Sequence, residues 1–163
     1  MPEPFDRLTE IKSGITKKAG FTIILTFIFR IFIFRAMVSA IGVDLVEIQR
    51  IEEAITRYGD RFVTRVFTPW EIQYCRSKIN PMLSFAGRFA VKEAVFKAVG
   101  TGFAEGVKWN SVEVVNDPGG KPQVRLGRTI RNHIGDREIK ISLSHTRDHA
   151  VAVAVLLKET ARQ

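Results

Sequence analysis

Between Pro81 and Gly102 the chain reads PMLSFAGRFAVKEAVFKAVGTG. Before Gly100 only Arg88, Lys92, Glu93 and Lys97 are charged, and most other positions are Phe, Val, Ala, Leu or Met. Apolar residues occupy much of the circumference, which predicts a helix over about 82–99, buried on several sides and stopped by Gly100-Thr101-Gly102. At about 100° per residue, Glu93 and Lys97 are neighbours one turn apart that flank a stripe of Met82, Phe85, Phe89 and Phe96. Periodicity leaves two readings of these charges. In one, Glu93 and Lys97 form an ordinary surface pair worth about 0.2–0.5 kcal/mol, with Arg88 and Lys92 solvated at the rim. In the other, they serve a site.

Upstream, Thr68-Pro69-Trp70-Glu71 is a helix start: threonine caps, proline suits the first position, and Glu71 completes a capping box. That helix is expected to end near Asn80-Pro81. Earlier still, Val38 to Ile48 (VSAIGVDLVEI) alternates as a strand, with Ile41, Val43 and Leu45 on one face and Gly42, Asp44 and Val46 on the other. Ile48, Ile51 and Ile55 then fall at helical spacing, and Gly59 stops the helix. Downstream, Val112–Val115 and Gln123–Leu126 flank the hairpin turn Asp117-Pro118-Gly119-Gly120. A short helix is expected over 129–133, then paired strands over 139–144 and 150–157. No internal repeat or low-complexity linker interrupts the order. The fold class is α+β, one domain with a mostly antiparallel sheet packed against the long buried helix.

The chain has 163 residues, 45% of them hydrophobic and 26% charged, a globular composition. Basic residues outnumber acidic ones by 25 to 17, a formal charge of +8 that favours polyanionic partners. A single cysteine, Cys75, excludes an internal disulfide framework and any multi-cysteine zinc site. Residues 1–36 stand apart. They hold 6 of the 12 phenylalanines and the apolar run FTIILTFIFRIFIF from Phe21 to Phe34. The run is shorter than the roughly 20 apolar residues of a membrane span. Three readings stay open: a start-site misassignment with Met37 as the true start, an interfacial apolar anchor, or a signal segment whose cleavage at Val38-Ser39-Ala40 would cut into the first strand. The domain itself is placed at residues 37–163, which carry 19 basic and 14 acidic side chains, still +5. Membrane contact is expected only if 21–34 acts as an anchor, and a cytoplasmic location is the default.

Asp44 is the unusual residue of the first strand. An ionised carboxylate on an apolar face is costly unless it is paired or metal-bound, and Gly42 beside it leaves room for a close approach. Two carboxylates from separate elements, Asp44 and Glu93, with cations nearby, suit Mg²⁺ holding a phosphate ligand. His145 and His149 have four-residue spacing but fall in a strand-turn-strand context, against a zinc site. Cys75, Trp70 and Trp109 read as packing residues, and no nucleic-acid motif accompanies the positive charge.

Four blocks in order, Ile41–Glu47 (IGVDLVE), Arg88–Gly102 (RFAVKEAVFKAVGTG), Gly120-Lys121-Pro122 and Ser142–Thr146 (SLSHT), resemble the holo-acyl-carrier-protein synthase type of 4′-phosphopantetheinyl transferase. The resemblance runs from about residue 38 to 157. It implies that Asp44 and Glu93 bind Mg²⁺ and that Lys97 contacts the pyrophosphate of coenzyme A. It places Arg88 and His145 near the 3′-phosphate, with Gly100, Thr101, Gly102, Lys121 and Pro122 bordering the nucleotide. It assigns Arg50 and Arg57 to the acidic acyl carrier protein, and it gives Lys92 no definite role. The implied reaction is attack of a carrier-protein serine on the β-phosphate of coenzyme A, releasing 3′,5′-ADP, with Glu93 or a metal-bound water taking the proton. The resemblance also implies a homotrimer with active sites between subunits. Coenzyme A and an acidic carrier account for the basic charge without nucleic acid.

Overall fold

A computed structural model describes residues 37–100 and 106–158. The expectations for residues 1–36, and for Thr101 and Gly102 in the site, lie outside the described residues. The long helix runs over Pro81–Val99 and is capped at both ends. Asn80 Oδ1 accepts from the Leu83 N–H at 3.1 Å, Pro81 takes the first position, and Gly100 closes the helix at φ 81°. Twelve of its nineteen residues are buried, including Ala86, Ala90, Ala94 and Ala98 at four-residue intervals.

In chain order the elements are β1 (Val38–Glu47), α1 (Ile48–Tyr58), α2 (Asp60–Val66), α3 (Pro69–Arg76) and α4 (Pro81–Val99). A 3₁₀ turn (Trp109–Ser111), β2 (Val112–Asn116) and β3 (Pro122–Leu126) follow, then α5 (Arg128–Ile134), β4 (Ile139–His145) and β5 (His149–Leu157). The strands form two antiparallel sheets, one of order β1-β5-β4 and a separate hairpin of β2 and β3. α4 packs across β1 and β5, where the residues of β5 on the buried face are Ala150, Ala152, Ala154 and Leu156. Small residues on strand and helix let the two backbones approach closely. At Gly42 nothing larger fits: a Cβ there would lie 2.0 Å from the Ala94 carbonyl oxygen and 2.6 Å from the Ala98 nitrogen. The room beside Asp44 is thus filled by the backbone of α4.

The other side of α4 is covered by aromatic packing. Phe67 lies 4.9 Å from Phe85, and Trp109 stacks on Phe89 at 4.8 Å, contacts worth about 0.5–1.5 kcal/mol each beyond the area they bury. The Thr68 capping box is present in both halves, with Glu71 N–H donating to Thr68 Oγ1 at 3.3 Å and Thr68 N–H to Glu71 Oε2 at 2.8 Å.

Two boundaries depart from the sequence expectation. α3 stops at Arg76, four residues early, because Ser77 Oγ binds the Tyr74 carbonyl at 2.8 Å and Asn80 turns to cap the next helix. α2 was not anticipated: at seven residues, with Val63 and Val66 its buried positions, it is too short to show a period. The strand alternation of β1 is as read, and its sides are now assigned. Gly42 and Val46 face the core, while Ile41, Val43 and Leu45 are 54%, 50% and 64% exposed.

Candidate active site

β1 and α4 cross where Gly42 meets Ala94 and Ala98, and that crossing sets the first cluster. Asp44, two residues along β1, is brought beside α4, and Lys97 Nζ donates to its Oδ1 at 2.8 Å and to the Val43 carbonyl at 3.1 Å. The reading of Glu93 and Lys97 as an ordinary surface pair thus gives way to a bridge between two elements. The Asp44 carboxylate holds the Lys97 ammonium above its ordinary range by hydrogen bonding and charge. Glu93, one turn earlier on α4, is half-buried. Burial first, and then the Asp44 charge, push its carboxyl above the ordinary carboxylate range, while Lys97 and Arg50 oppose the shift. Two carboxylates therefore repel each other across the crossing.

This donor set suits a hard divalent cation. Mg²⁺ binds one or two carboxylates and keeps the rest of its shell for water and phosphate oxygens. Among the described residues no group of three or more His, Cys, Asp or Glu gathers, so a cation here would meet at most these two carboxylates.

The second cluster lies at Arg88. A rim position exposed to solvent was one expectation for Arg88 and Lys92, but they are only 5% and 0% exposed. The Arg88 guanidinium stacks on Tyr74 at 3.9 Å, and its Nη2 donates to Asn116 Oδ1 at 2.8 Å. Its Nε is buried with no hydrogen-bond partner. A cleft of about 500 Å³ opens here, lined by Lys78, Arg88, Asn116, Gly120, Pro122 and His145 among others. Three predicted blocks thus meet, on α4, after the hairpin turn and at the end of β4. Lys121 is different. It lines the adjoining groove of about 800 Å³ beside Arg131, Arg137 and Lys140. Gly100 caps α4 at its C-terminus, beyond Lys97.

Arg50 and Arg57 are exposed on α1. Arg50 is within electrostatic range of Glu93, whereas Arg57 lines an open basin of about 940 Å³ with Glu47, Glu52, Glu53 and Asp148. That basin is larger than the cleft at Arg88, yet Asp44, Glu93 and Lys97 do not line it.

A family model described as the 4′-phosphopantetheinyl transferase superfamily matches residues 40–154. The chain belongs to this superfamily. The holo-[acyl-carrier-protein] synthase of Koribacter versatilis is 46% identical over 123 residues, spanning 74% of this chain and 98% of that protein. A Bacillus anthracis holo-(acyl-carrier-protein) synthase, solved in complex with CoA (3′,5′-ADP), superposes with a TM-score of 0.65 at 35% identity. The match covers 76% of this chain and 100% of the other. The holo-[acyl-carrier-protein] synthase of Neisseria meningitidis gives 0.69 at 32% identity, covering 75% and 100%.

Within this phosphopantetheinyl transferase two groups of residues escaped the sequence reading. Tyr74, Lys78 and Asn116 join the Arg88 cleft from α3, the loop after it and the end of β2. No motif links them, because only the tertiary fold brings them together. The second group is a fully buried ion pair, Lys92 Nζ to Glu71 Oε2 at 2.8 Å. Desolvation pushes the Lys92 ammonium below its ordinary range, and the Glu71 carboxylate opposes that shift. The signal available for Lys92 was its place in an otherwise apolar run. Among the described residues no helix is long and apolar enough to cross a membrane.

Proposed function

We propose that this transferase is a holo-acyl-carrier-protein synthase that moves the 4′-phosphopantetheine group of coenzyme A onto a serine of an apo-acyl carrier protein, with Mg²⁺, releasing 3′,5′-ADP. The observation that carries this reading is the placement of two clusters on one helix. Glu93 and Lys97 converge with Asp44, while Arg88, one turn and a half before Glu93, anchors a cleft with Asn116 and His145. Five residues of helix rise about 7.5 Å, so one element offers separate places for the pyrophosphate and for the 3′-phosphorylated ribose.

Asp44 and Glu93 would hold the magnesium ion, which when bound neutralises pyrophosphate charge. Lys97 extends from the same crossing to a phosphate oxygen. The serine oxygen forms a bond to the β-phosphorus as the bond to 3′,5′-ADP breaks, and the serine proton passes to the Glu93 carboxylate. The place of Glu93 beside Asp44 and Lys97 at the crossing suits that task. Such a reaction needs positioning and charge rather than a protein nucleophile. Arg50, near Glu93, would meet the acidic carrier protein first, and Arg57 one end further along α1.

The active form is a homotrimer with sites between subunits. Its support is the outer face of the three-stranded sheet, where Ile41, Val43 and Leu45 lie opposite Val155, Val153 and Val151. An apolar patch of that kind marks an interaction surface. A cytoplasmic site of action is consistent with the single, buried, unpaired Cys75.

The test is the intact mass of apo-acyl carrier protein after incubation with this protein, coenzyme A and Mg²⁺, beside a chelated control. A metal-dependent gain of one phosphopantetheine is expected. Folded Asp44→Ala and Glu93→Ala should each lose more than about a hundredfold in rate, beyond the usual cost of losing a supporting partner of a metal ligand. Full activity in either variant overturns the metal assignment, and no mass gain overturns the activity.

A further inference from the structure

Lys92 stands next to Glu93 in sequence but points into the core, and its three donors are all spent there. They go to Glu71 Oε2 at 2.8 Å, to the Trp109 carbonyl at 3.1 Å and to the Val112 carbonyl in a short contact. Glu71 is equally committed. Its Oε2 also accepts the Thr68 N–H, and its Oε1 accepts the Val114 N–H at 2.9 Å. One ion pair, 0% exposed at both ends, thereby joins the start of α3, the middle of α4, the 3₁₀ turn and β2.

What the pair holds is the β2–β3 hairpin. Among the described residues the hairpin shares no sheet with β1, β5 and β4, so its placement depends on side chains. Lys92 and Glu71 grip it at Val112 and Val114. At its far end Asn116 accepts from Arg88 and donates through Nδ2 to the Gly120 carbonyl at 2.8 Å. Gly120 and Pro122 form one wall of the Arg88 cleft. A buried ion pair is a poor source of net stability, since desolvation offsets much of the attraction. Its value here is geometric.

We propose that Glu71 and Lys92 are positioning residues for coenzyme A: they fix the hairpin against α4 and so set the cleft between Arg88 and the Gly120–Pro122 wall. This rests on the reading of that cleft as the nucleotide subsite. The reacting end is held separately, by the β1–α4 crossing at Gly42. Loss of the pair therefore acts on binding of coenzyme A and spares the chemical step.

The experiment compares steady-state kinetics of the full chain with the Glu71→Gln/Lys92→Met double variant, which leaves no lone buried charge. Glu71→Gln/Lys92→Gln, which also leaves no lone buried charge and keeps donors at position 92, is the second variant should the first fold poorly. The expected result is a KM for coenzyme A raised about tenfold or more, with kcat within about threefold and the KM for carrier protein unchanged. Hydrogen exchange should quicken at the Val114 amide and its hairpin neighbours, with β1 and β5 unaffected. A merely structural role lowers the active fraction, so kcat falls at unchanged KM; that result, or an unchanged KM for coenzyme A in both variants, overturns the proposal. Arg88→Gln serves as the separate control. If it leaves the KM for coenzyme A unaltered, the nucleotide reading of the cleft is what fails.

Discussion

Glu93 illustrates how a residue proposed for the site can carry a cost in the fold that contains it. Its carboxyl is pushed above the ordinary 4.5, by burial first and the Asp44 charge second. The folded state therefore binds this proton more tightly than the unfolded chain does. Stability from Glu93 is complete below the unfolded value and is lost as pH rises from there through the raised folded value. Glu93→Gln should thus stabilise the metal-free protein at neutral pH and leave it unchanged below pH 4.5. Urea midpoints at the two pH values check this, and equal shifts at both would refute it. The sequence announced Asp44 and Glu93 through their types and settings. Of its two readings of Lys97, the surface pair with Glu93 was drawn from local spacing, which cannot show the bridge to Asp44, 53 residues away. Lys92 was illegible for the same reason: its partner Glu71 already had a complete local explanation as the capping-box residue.

Elements were more legible wherever an end carried its own chemistry. Thr68 with Glu71, Asn80 with Pro81, and the stops at Gly59 and Gly100 each mark a boundary by a local hydrogen bond or backbone angle. α2 has no such mark and too few turns. The crossing of β1 on α4 was visible only as a glycine that admits something, with the identity of that something hidden. Gly42→Ala tests it. The added methyl meets the Ala94 oxygen and Ala98 nitrogen, backbone atoms that cannot rotate away. A loss at or above about 3 kcal/mol, the upper end for overpacking, is expected by chemical denaturation, together with loss of transfer. An alanine variant of wild-type stability would show that the crossing is looser than drawn.

At the scale of the whole molecule, the outer face of the three-stranded sheet is the feature that a lone chain leaves unexplained. Val43 is 50% exposed and lies opposite Val153, so Val43→Asp places a charge on the face without disturbing the core. The wild type should have the mass of a trimer by light scattering at micromolar concentration, and the variant that of a folded monomer with little transfer activity. A monomeric wild type, or a variant with undiminished assembly and rate, would remove the trimer reading. Two sheets that share no strand have one more effect. With no side chain at Gly42, strand and helix meet backbone to backbone, which fixes the two backbones that carry Asp44, Glu93 and Lys97. The hairpin is held instead through side chains, by Lys92 and Glu71 at Val112 and Val114, by Thr68 at Glu113 and by Arg88 at Asn116. If the proposed subsites hold, adjustment to a bulkier or differently loaded coenzyme falls to that wall, and tolerance for the donor and accuracy of the chemistry would reside in separate parts of the molecule.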